Sequence, residues 1–322
     1  MRAIQIPTLG GPEVLEVVDL PEPNAGPGRV VVEVGAAGVN FIDTYHRSGL
    51  YPVQLPMVPG LEGAGRVMAV GTGVGDLTVG DRVAWADCVG SYSELVSLRA
   101  ERAIKVPDDV PTDQAAAVML QGITAHYLAT STFPLQAGHR CLIHAGAGGV
   151  GRLLIQIAKH FGAEVFATVG SPVKATLAES AGADHVISYR EIPFTEAVEA
   201  VAGERPLDVV FDGIGQSTFA AGLTLLKPRG TMVTFGNASG PVEAVSPLEL
   251  SRNGSLFLTR PTMGDHISER WELEQRTTDL MGWIADATLD VHIGARYPLE
   301  EASNAHSALE GRLTTGKVLL TP

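Results

Sequence analysis

The residues best suited to chemistry gather at a glycine triplet. The run His144-Ala145-Gly146-Ala147-Gly148-Gly149-Val150-Gly151 contains Gly146-x-Gly148-x-x-Gly151. Glycines at this spacing permit a tight turn, let the backbone approach a pyrophosphate and let the next helix pack closely on the strand before it. The helix start adds N–H groups and a partial positive charge for a diphosphate. Alone, such a triplet is a weak signal, but here it closes an apolar strand and opens an amphipathic helix, which argues against a ligand-free turn. About 20 positions on, a fold that takes NAD carries a carboxylate for the ribose hydroxyls. This chain has Gly170-Ser171-Pro172-Val173-Lys174 there. With no acid to repel it, a 2′-phosphate can be received by the Ser171 hydroxyl, backbone N–H groups and the Lys174 ammonium, so NADPH is expected over NADH. Tyr189 can pack on the adenosine or hydrogen-bond that phosphate. Read alone, Tyr189 is a half-buried strand aromatic and Lys174 a solvated lysine at a helix start.

These residues need a scaffold, and the text supplies one. From residue 140 to 259, short apolar strands alternate with helical patterns, the arrangement of a parallel sheet covered on both faces. Strands are expected at 140–145, 164–169, 185–189, 208–214, 231–236 and 255–259, enough for a full dinucleotide fold. The first helix repeats Val150, Leu153, Leu154, Ile157, Ala158 and Phe161 at spacings of three and four, with Gly162 as its stop. Before it, from residue 3 to about 100, β-branched runs punctuated by Gly and Pro read as a compact all-β unit. After Pro261, a long helix at 266–287, a short one near 300–309 and a strand at 317–321 are assigned to that first domain.

Composition sets the outer limits. At 322 residues, with 45% apolar and 18% charged, the chain is globular and long enough for about two domains. The 23 Lys and Arg against 36 Asp and Glu leave a net charge of −13, so a nucleic acid is not an expected partner. No apolar run approaches the ~20 residues of a membrane span, and MRAIQIPTLGGPEVLE lacks the apolar centre of a secretory signal, which points to the cytoplasm. Cys88 and Cys141 stand far apart with no ligand spacing, so neither a disulfide framework nor a structural zinc site is expected.

A longer string of motifs carries a resemblance. Gly11-Pro12-Glu13-Val14-Leu15, Asn40-Phe41-Ile42-Asp43-Thr44-Tyr45, Arg47-Ser48-Gly49-Leu50-Tyr51-Pro52, Val79-Gly80-Asp81-Arg82-Val83, Gly122-Ile123-Thr124-Ala125, the glycine turn, Gly182-Ala183-Asp184-His185-Val186-Ile187 and Lys227-Pro228-Arg229-Gly230 run through essentially the whole length. The chain resembles the zinc-independent quinone oxidoreductases of the medium-chain dehydrogenase/reductase superfamily, the group of zeta-crystallin. The resemblance implies an α/β protein with a GroES-like β-barrel catalytic domain (1–120 and 263–322), an inserted Rossmann NADPH-binding domain (121–262), an active site in the cleft, and a homodimer. It places Asn40 and residues 41–45, with Phe41, Asp43 and Tyr45, at the nicotinamide end and Thr124 beside the ring. It puts Gly148, Gly149 and Val150 on the pyrophosphate, and Gly170, Ser171, Lys174 and Tyr189 at the 2′-phosphate. Gly236, Asn237, Leu258, Thr259 and Arg260 match the loops that close over the nicotinamide. Arg312 matches a basic residue near the cofactor, with Lys317 a competing candidate.

Departures from the zinc branch matter equally. That branch has Cys around positions 38–40 and a Gly-His-Glu run, where this chain has Gly38, Val39, Asn40 and Gly60-Leu61-Glu62, so no metal is expected. The nine histidines join no ligand cluster and read as surface or core-edge residues. Without a Lewis acid to hold an alkoxide, alcohol oxidation gives way to an easier acceptor, a quinone or conjugated enone that takes hydride directly from NADPH. Tyr45 and Tyr51 are the candidates for holding it, each with a face to stack and a phenol for the carbonyl oxygen, although Tyr51 reads equally well as packing of the cleft wall. Asn40 could orient the nicotinamide ribose or polarise the substrate oxygen, whereas an Asn in a turn more often bonds its own backbone. Asp43 is read as fixing the loop, with no catalytic role. Two other functions stay open: reduction of an enone or alkenal double bond, and a non-catalytic, crystallin-like structural role.

Overall fold

The computed structural model describes all 322 residues. They form two compact units, Met1–Ile123 with Ile267–Ala287 and Val291–Pro322 in the first, and Thr124–His266 with Thr288–Asp290 in the second.

The first unit opens with an antiparallel pair, β1 (Arg2–Gln5) and β2 (Glu16–Asp19). It continues through β3 (Arg29–Val39), α1 (Phe41–Ser48), β4 (Glu62–Val70), β5 (Arg82–Ala86), β6 (Leu95–Arg99) and β7 (Ile104–Lys105), and α2 (Thr112–Tyr127) crosses the division. β3 organises the sheet because RVVVEVGAAGV is β-branched and almost continuously apolar, the pattern of a strand buried on both faces. It pairs antiparallel with both β4 and β6, and Val30, Val32, Val34 and Val39 share one core with Trp85, Tyr92 and Leu98.

The second unit alternates strands and helices: β8 (Arg140–Ile143), α3 (Gly149–His160), β9 (Glu164–Val169), α4 (Pro172–Ser180), β10 (His185–Ser188), α5 (Phe194–Ala202), β11 (Leu207–Asp212), α6 (Phe219–Thr224), β12 (Leu226–Thr234), α7 (Pro247–Arg252), β13 (Phe257–Thr259) and α8 (Met263–His266). The six strands form one parallel sheet in the order β10-β9-β8-β11-β12-β13. The chain thus runs outward from β8 in one direction and then in the other, the topological switch that opens a crevice at the carboxyl ends of β8 and β11.

The return to the first unit is made by α9 (Arg270–Ala285), β14 (Ile293–Pro298), α10 (Ala302–Glu310) and β15 (Lys317–Thr321). β15 lies antiparallel to β3 and parallel to β14. Three features depart from the sequence expectation. The helix expected at 266–287 is α9, which starts only at Arg270, and a separate short helix, α8, ends at His266, with Ile267 fully buried between them. Residues 288–290 fold with the second unit, because Asp290 N donates to Gln156 Oε1 at 2.7 Å and the Asp290 carboxylate meets Arg152, both on α3. The first unit is not purely β before residue 100, since it contains α1. No helix is long and apolar enough to cross a membrane.

Candidate active site

At the β8–α3 corner, Ala145 takes the left-handed conformation with φ 55°, and its carbonyl accepts from Gly148 N at 2.8 Å. The first helical bond of α3 runs from Arg152 N to Gly148 O at 2.9 Å, so the N–H groups of Gly149, Val150 and Gly151 precede the ladder and are those a helix start offers to an anion. A Cβ on Gly151 would collide with the Ala145 carbonyl, and one on Gly146 would stand 2.9 Å from the Ala167 methyl. The corner is a cradle made of backbone, and it fits a dinucleotide diphosphate.

Gly170, Ser171, Lys174 and Tyr189 gather at the adjoining ends of β9 and β10. Ser171 caps α4, its hydroxyl accepting from Lys174 N at 3.4 Å. The Tyr189 hydroxyl lies 2.5 Å from where a Gly170 Cβ would be, so glycine makes room for the phenol, and Tyr189 is 42% exposed. None of the four carries a negative charge. Gly236 and Asn237 follow β12, Leu258 and Thr259 lie in β13, and Arg260 joins the two segments by donating to Gly236 O at 3.3 Å. Thr124 is buried near the end of α2. Arg312 is exposed in the turn after α10, with φ 59°.

A row of buried polar residues runs beneath the glycine corner. His144 Nδ1 is 2.9 Å from Thr168 Oγ1, and burial holds its pKa below the ordinary histidine value against the opposing pull of Asp212. Asp212, paired in register with Thr234, accepts from the N–H groups of Ile214 and Gly215 and from the Thr218 hydroxyl. His126, His144 and His306 are all buried, which corrects the expectation of surface or core-edge histidines: each has one ring nitrogen or more beside a polar side chain, Thr130, Thr168, and Tyr92 with Arg47 respectively, that hydropathy does not register.

In the first unit the site is built around α1, whose buried positions are Asp43, Thr44, Tyr45 and Arg47. Two polar networks hold it. The first surrounds Asn40, the residue before the helix. Asn40 Nδ2 donates to Glu62 Oε1 at 2.7 Å, and its Oδ1 accepts from Lys317 Nζ at 2.9 Å and Gln121 Nε2 at 3.1 Å. Lys317 also pairs directly with Glu62. The Asn40 amide is therefore engaged inside the protein through both its nitrogen and its oxygen.

The second network starts at Asp43, which is fully buried rather than turned toward a ligand. Its Oδ2 accepts from Asn40 N at 2.8 Å and from the Tyr92 hydroxyl at 3.1 Å. Tyr92 lies 3.1 Å from His306 Nε2, and His306 Nδ1 lies 2.9 Å from Arg47 Nη1. Because arginine can only donate, Nδ1 must accept, and the imidazole carries its proton on Nε2 toward Tyr92. Arg47 closes the chain with two bonds to Glu310. Burial raises the Asp43 pKa to about 7. Burial, with the neighbouring Arg47 charge, lowers that of His306 to about 3.

Beside these networks three aromatic rings cluster, with Tyr45 buried and Phe41 and Tyr51 half-buried. Phe41 and Tyr45 have ring centroids 6.3 Å apart, and Tyr45 meets Tyr51 edge-on at 5.3 Å. Sequence reasoning missed the two networks. The spacing of Asn40 and Asp43, with Gly49 following at φ 81°, was the available signal for α1 itself.

No group of three His, Cys, Asp or Glu side chains is placed to hold a metal ion. Residues 26–108 match the alcohol dehydrogenase GroES-like domain, and residues 149–281 match the zinc-binding dehydrogenase family. A quinone oxidoreductase of Pseudomonas aeruginosa is 44% identical over 100% of this chain and 99% of its own. A 2-haloacrylate reductase of a Burkholderia species is 40% identical over 97% of this chain and 96% of its own. The crystal structure of Escherichia coli quinone oxidoreductase complexed with NADPH superposes with a TM-score of 0.98 at 40% identity, covering 100% of both chains. With glycine corner, sheet order and full-length identity in agreement, the chain belongs to the quinone oxidoreductase family of the medium-chain dehydrogenase/reductase superfamily.

Proposed function

We propose that the protein is an NADPH-dependent quinone oxidoreductase with no resident metal. The observation that carries this reading is the acid-free end of β9, where Ser171 caps α4 beside Lys174 and Tyr189 overlies Gly170. NADPH, when bound, supplies hydride from C4 of its nicotinamide. Gly148, Gly149 and Val150 hold the diphosphate at the start of α3, and Ser171, Lys174 and Tyr189 receive the 2′-phosphate. Thr124, Gly236, Asn237, Leu258, Thr259, Arg260 and Arg312 line the nicotinamide half. Tyr45 and Tyr51 hold the quinone, one face against an aromatic ring, with a phenol donating to the oxygen on which negative charge arrives. In this reading the first unit is the catalytic domain and the second the NADPH-binding domain.

The identity to a 2-haloacrylate reductase favours a second substrate class, activated carbon–carbon double bonds, reached by the same hydride chemistry. Oxidation of NADPH and NADH measured side by side with quinones and enones decides both points. Preference for NADPH with quinones is expected. Equal use of the two nucleotides would remove the phosphate assignment, and no heat on calorimetric titration with NADPH would end the reading. Turnover in the same panel would reject a purely structural, crystallin-like role.

A homodimer belongs to this proposal: β13 is an edge strand of its sheet, with Phe257 61% exposed, so its backbone is available to a second copy. Sedimentation at twice the chain mass is the expected result. A cytoplasmic location is supported by two unpaired cysteines, with burial pushing the Cys88 thiol pKa up to about 12, and cell fractionation tests it.

A further inference from the structure

Glu62 and Lys317 form an ion pair with side chains 0% and 1% exposed. Such pairs are poor stabilisers, because desolvation offsets the attraction and apolar residues of similar volume often serve as well. Its other hydrogen bonds suggest what it is for. Glu62 Oε1 accepts from Asn40 Nδ2, and Oε2 accepts from Leu120 N on α2 at 2.6 Å. Lys317 Nζ donates to Asn40 Oδ1 and, at 3.3 Å, to Val39 O. Four segments, the end of β3, the middle of α2 and the starts of β4 and β15, thus meet on two charges. Gly38 makes the space, since a Cβ there would collide with the Glu62 carboxylate.

The charges also fix polarity. An ammonium can only donate and a carboxylate can only accept, so the Asn40 amide has one allowed orientation, oxygen to Lys317 and nitrogen to Glu62. Gln121 must then present its nitrogen to the Asn40 oxygen, as it does. The same Asn40 bonds the Asp43 carboxylate through its backbone N–H, which sets the first turn of α1. We propose that Glu62 and Lys317 are positioning residues for the substrate: the buried pair locks the Asn40 amide, and Asn40 holds the turn that carries Phe41 and Tyr45. The inference rests on reading that aromatic cluster as the quinone-holding site. It assigns the pair no contact with substrate or cofactor.

The test is the double variant Glu62→Gln with Lys317→Met, compared with each single change. Each single variant strands one buried charge and should lose several degrees of thermal stability. The double variant leaves no unpaired charge and should regain most of that loss. It should still show a quinone KM raised about fivefold or more, because the Asn40 amide can rotate once neither ion directs it. Its kcat and its NADPH affinity, read by fluorescence titration, should stay within about twofold of the parent. Asn40→Ala keeps both ions in contact and gives a second route to the same rise in KM if the double variant does not fold. A double variant or Asn40→Ala with parental KM would overturn the inference, as would NADPH affinity falling in step with quinone affinity. Failure of the unmodified protein to oxidise NADPH with quinones would instead remove the functional reading beneath it.

Discussion

At the start of α3 the protein has removed side chains, whereas at the start of α1 it has filled almost every hydrogen-bonding position with them. The glycine corner works because nothing projects from Gly146 or Gly151, and its polar groups all belong to the backbone. The α1 site works because Asn40, Asp43, Arg47, Glu62, Tyr92, His306 and Lys317 are wired to one another with few groups left over. One site is therefore vulnerable to added atoms and the other to deleted ones. The backbone site suits a ligand with an invariant diphosphate. The side-chain site instead holds a helix at a set angle, so that its aromatic rings stay in place.

The largest effect is expected from adding atoms to the first site. Gly151→Val should weaken NADPH binding by at least ~100-fold in fluorescence titration, since the branched carbon strikes the Ala145 carbonyl. Retained affinity would show that the corner can open and that the contrast with α1 is overdrawn. Deleting atoms from the second site comes next. Tyr92→Phe removes the hydroxyl that joins Asp43 to His306 and should cost about 2 kcal/mol in urea unfolding, because two buried partners lose a bond. A loss below about 0.5 kcal/mol would mean the network is incidental. Lys174→Ala should weaken NADPH about tenfold and leave NADH unchanged; equal weakening of both would move the 2′-phosphate elsewhere.

The smallest net effect in the parent protein is a pH dependence peculiar to the α1 side, where two groups titrate in opposition. Asp43 has a raised carboxyl pKa, about 7 against an ordinary value of 3.8, so the folded state holds the extra proton between them. Its contribution to stability is present in acid and lost as pH rises toward 7. His306 has a lowered pKa, about 3 against 6.5, so the unfolded chain takes up the proton and stability is lost as pH falls below 6.5. The two slopes oppose each other between pH 4 and 6.5. His306→Gln should become more stable than the parent shows as pH falls through that window, and Asp43→Asn less. Parallel melting curves for all three proteins would sink this assignment.

The contrast between the sites also explains what the sequence disclosed. The glycine corner and the strands of the second unit are local patterns: glycine spacing, short apolar runs, and a helix with apolar residues at spacings of three and four. Their ends shifted by only a few residues, as with β11 at Leu207–Asp212 rather than 208–214. The α1 networks left no such trace. Hydropathy assigns Asp43, Arg47, Glu62 and Lys317 to solvent, and their partners are remote, with Arg47 and His306 259 positions apart. Burial of a charge is decided by a partner the local text does not show, which is why the bonds of Asn40 to Glu62, Gln121 and Lys317, 22, 81 and 277 positions away, left no sign in the sequence around it.

That remoteness has a consequence for biosynthesis. Glu62 leaves the ribosome 255 residues ahead of Lys317, which at roughly 5–20 residues per second leaves it unneutralised for on the order of 10–50 s. The segment from Thr124 to His266 is contiguous and can mature within that interval, while its neighbour waits for its closing strand. Nascent chains stalled once His266 has cleared the ribosome should accordingly resist protease across the inserted half and remain cleavable in the leading one.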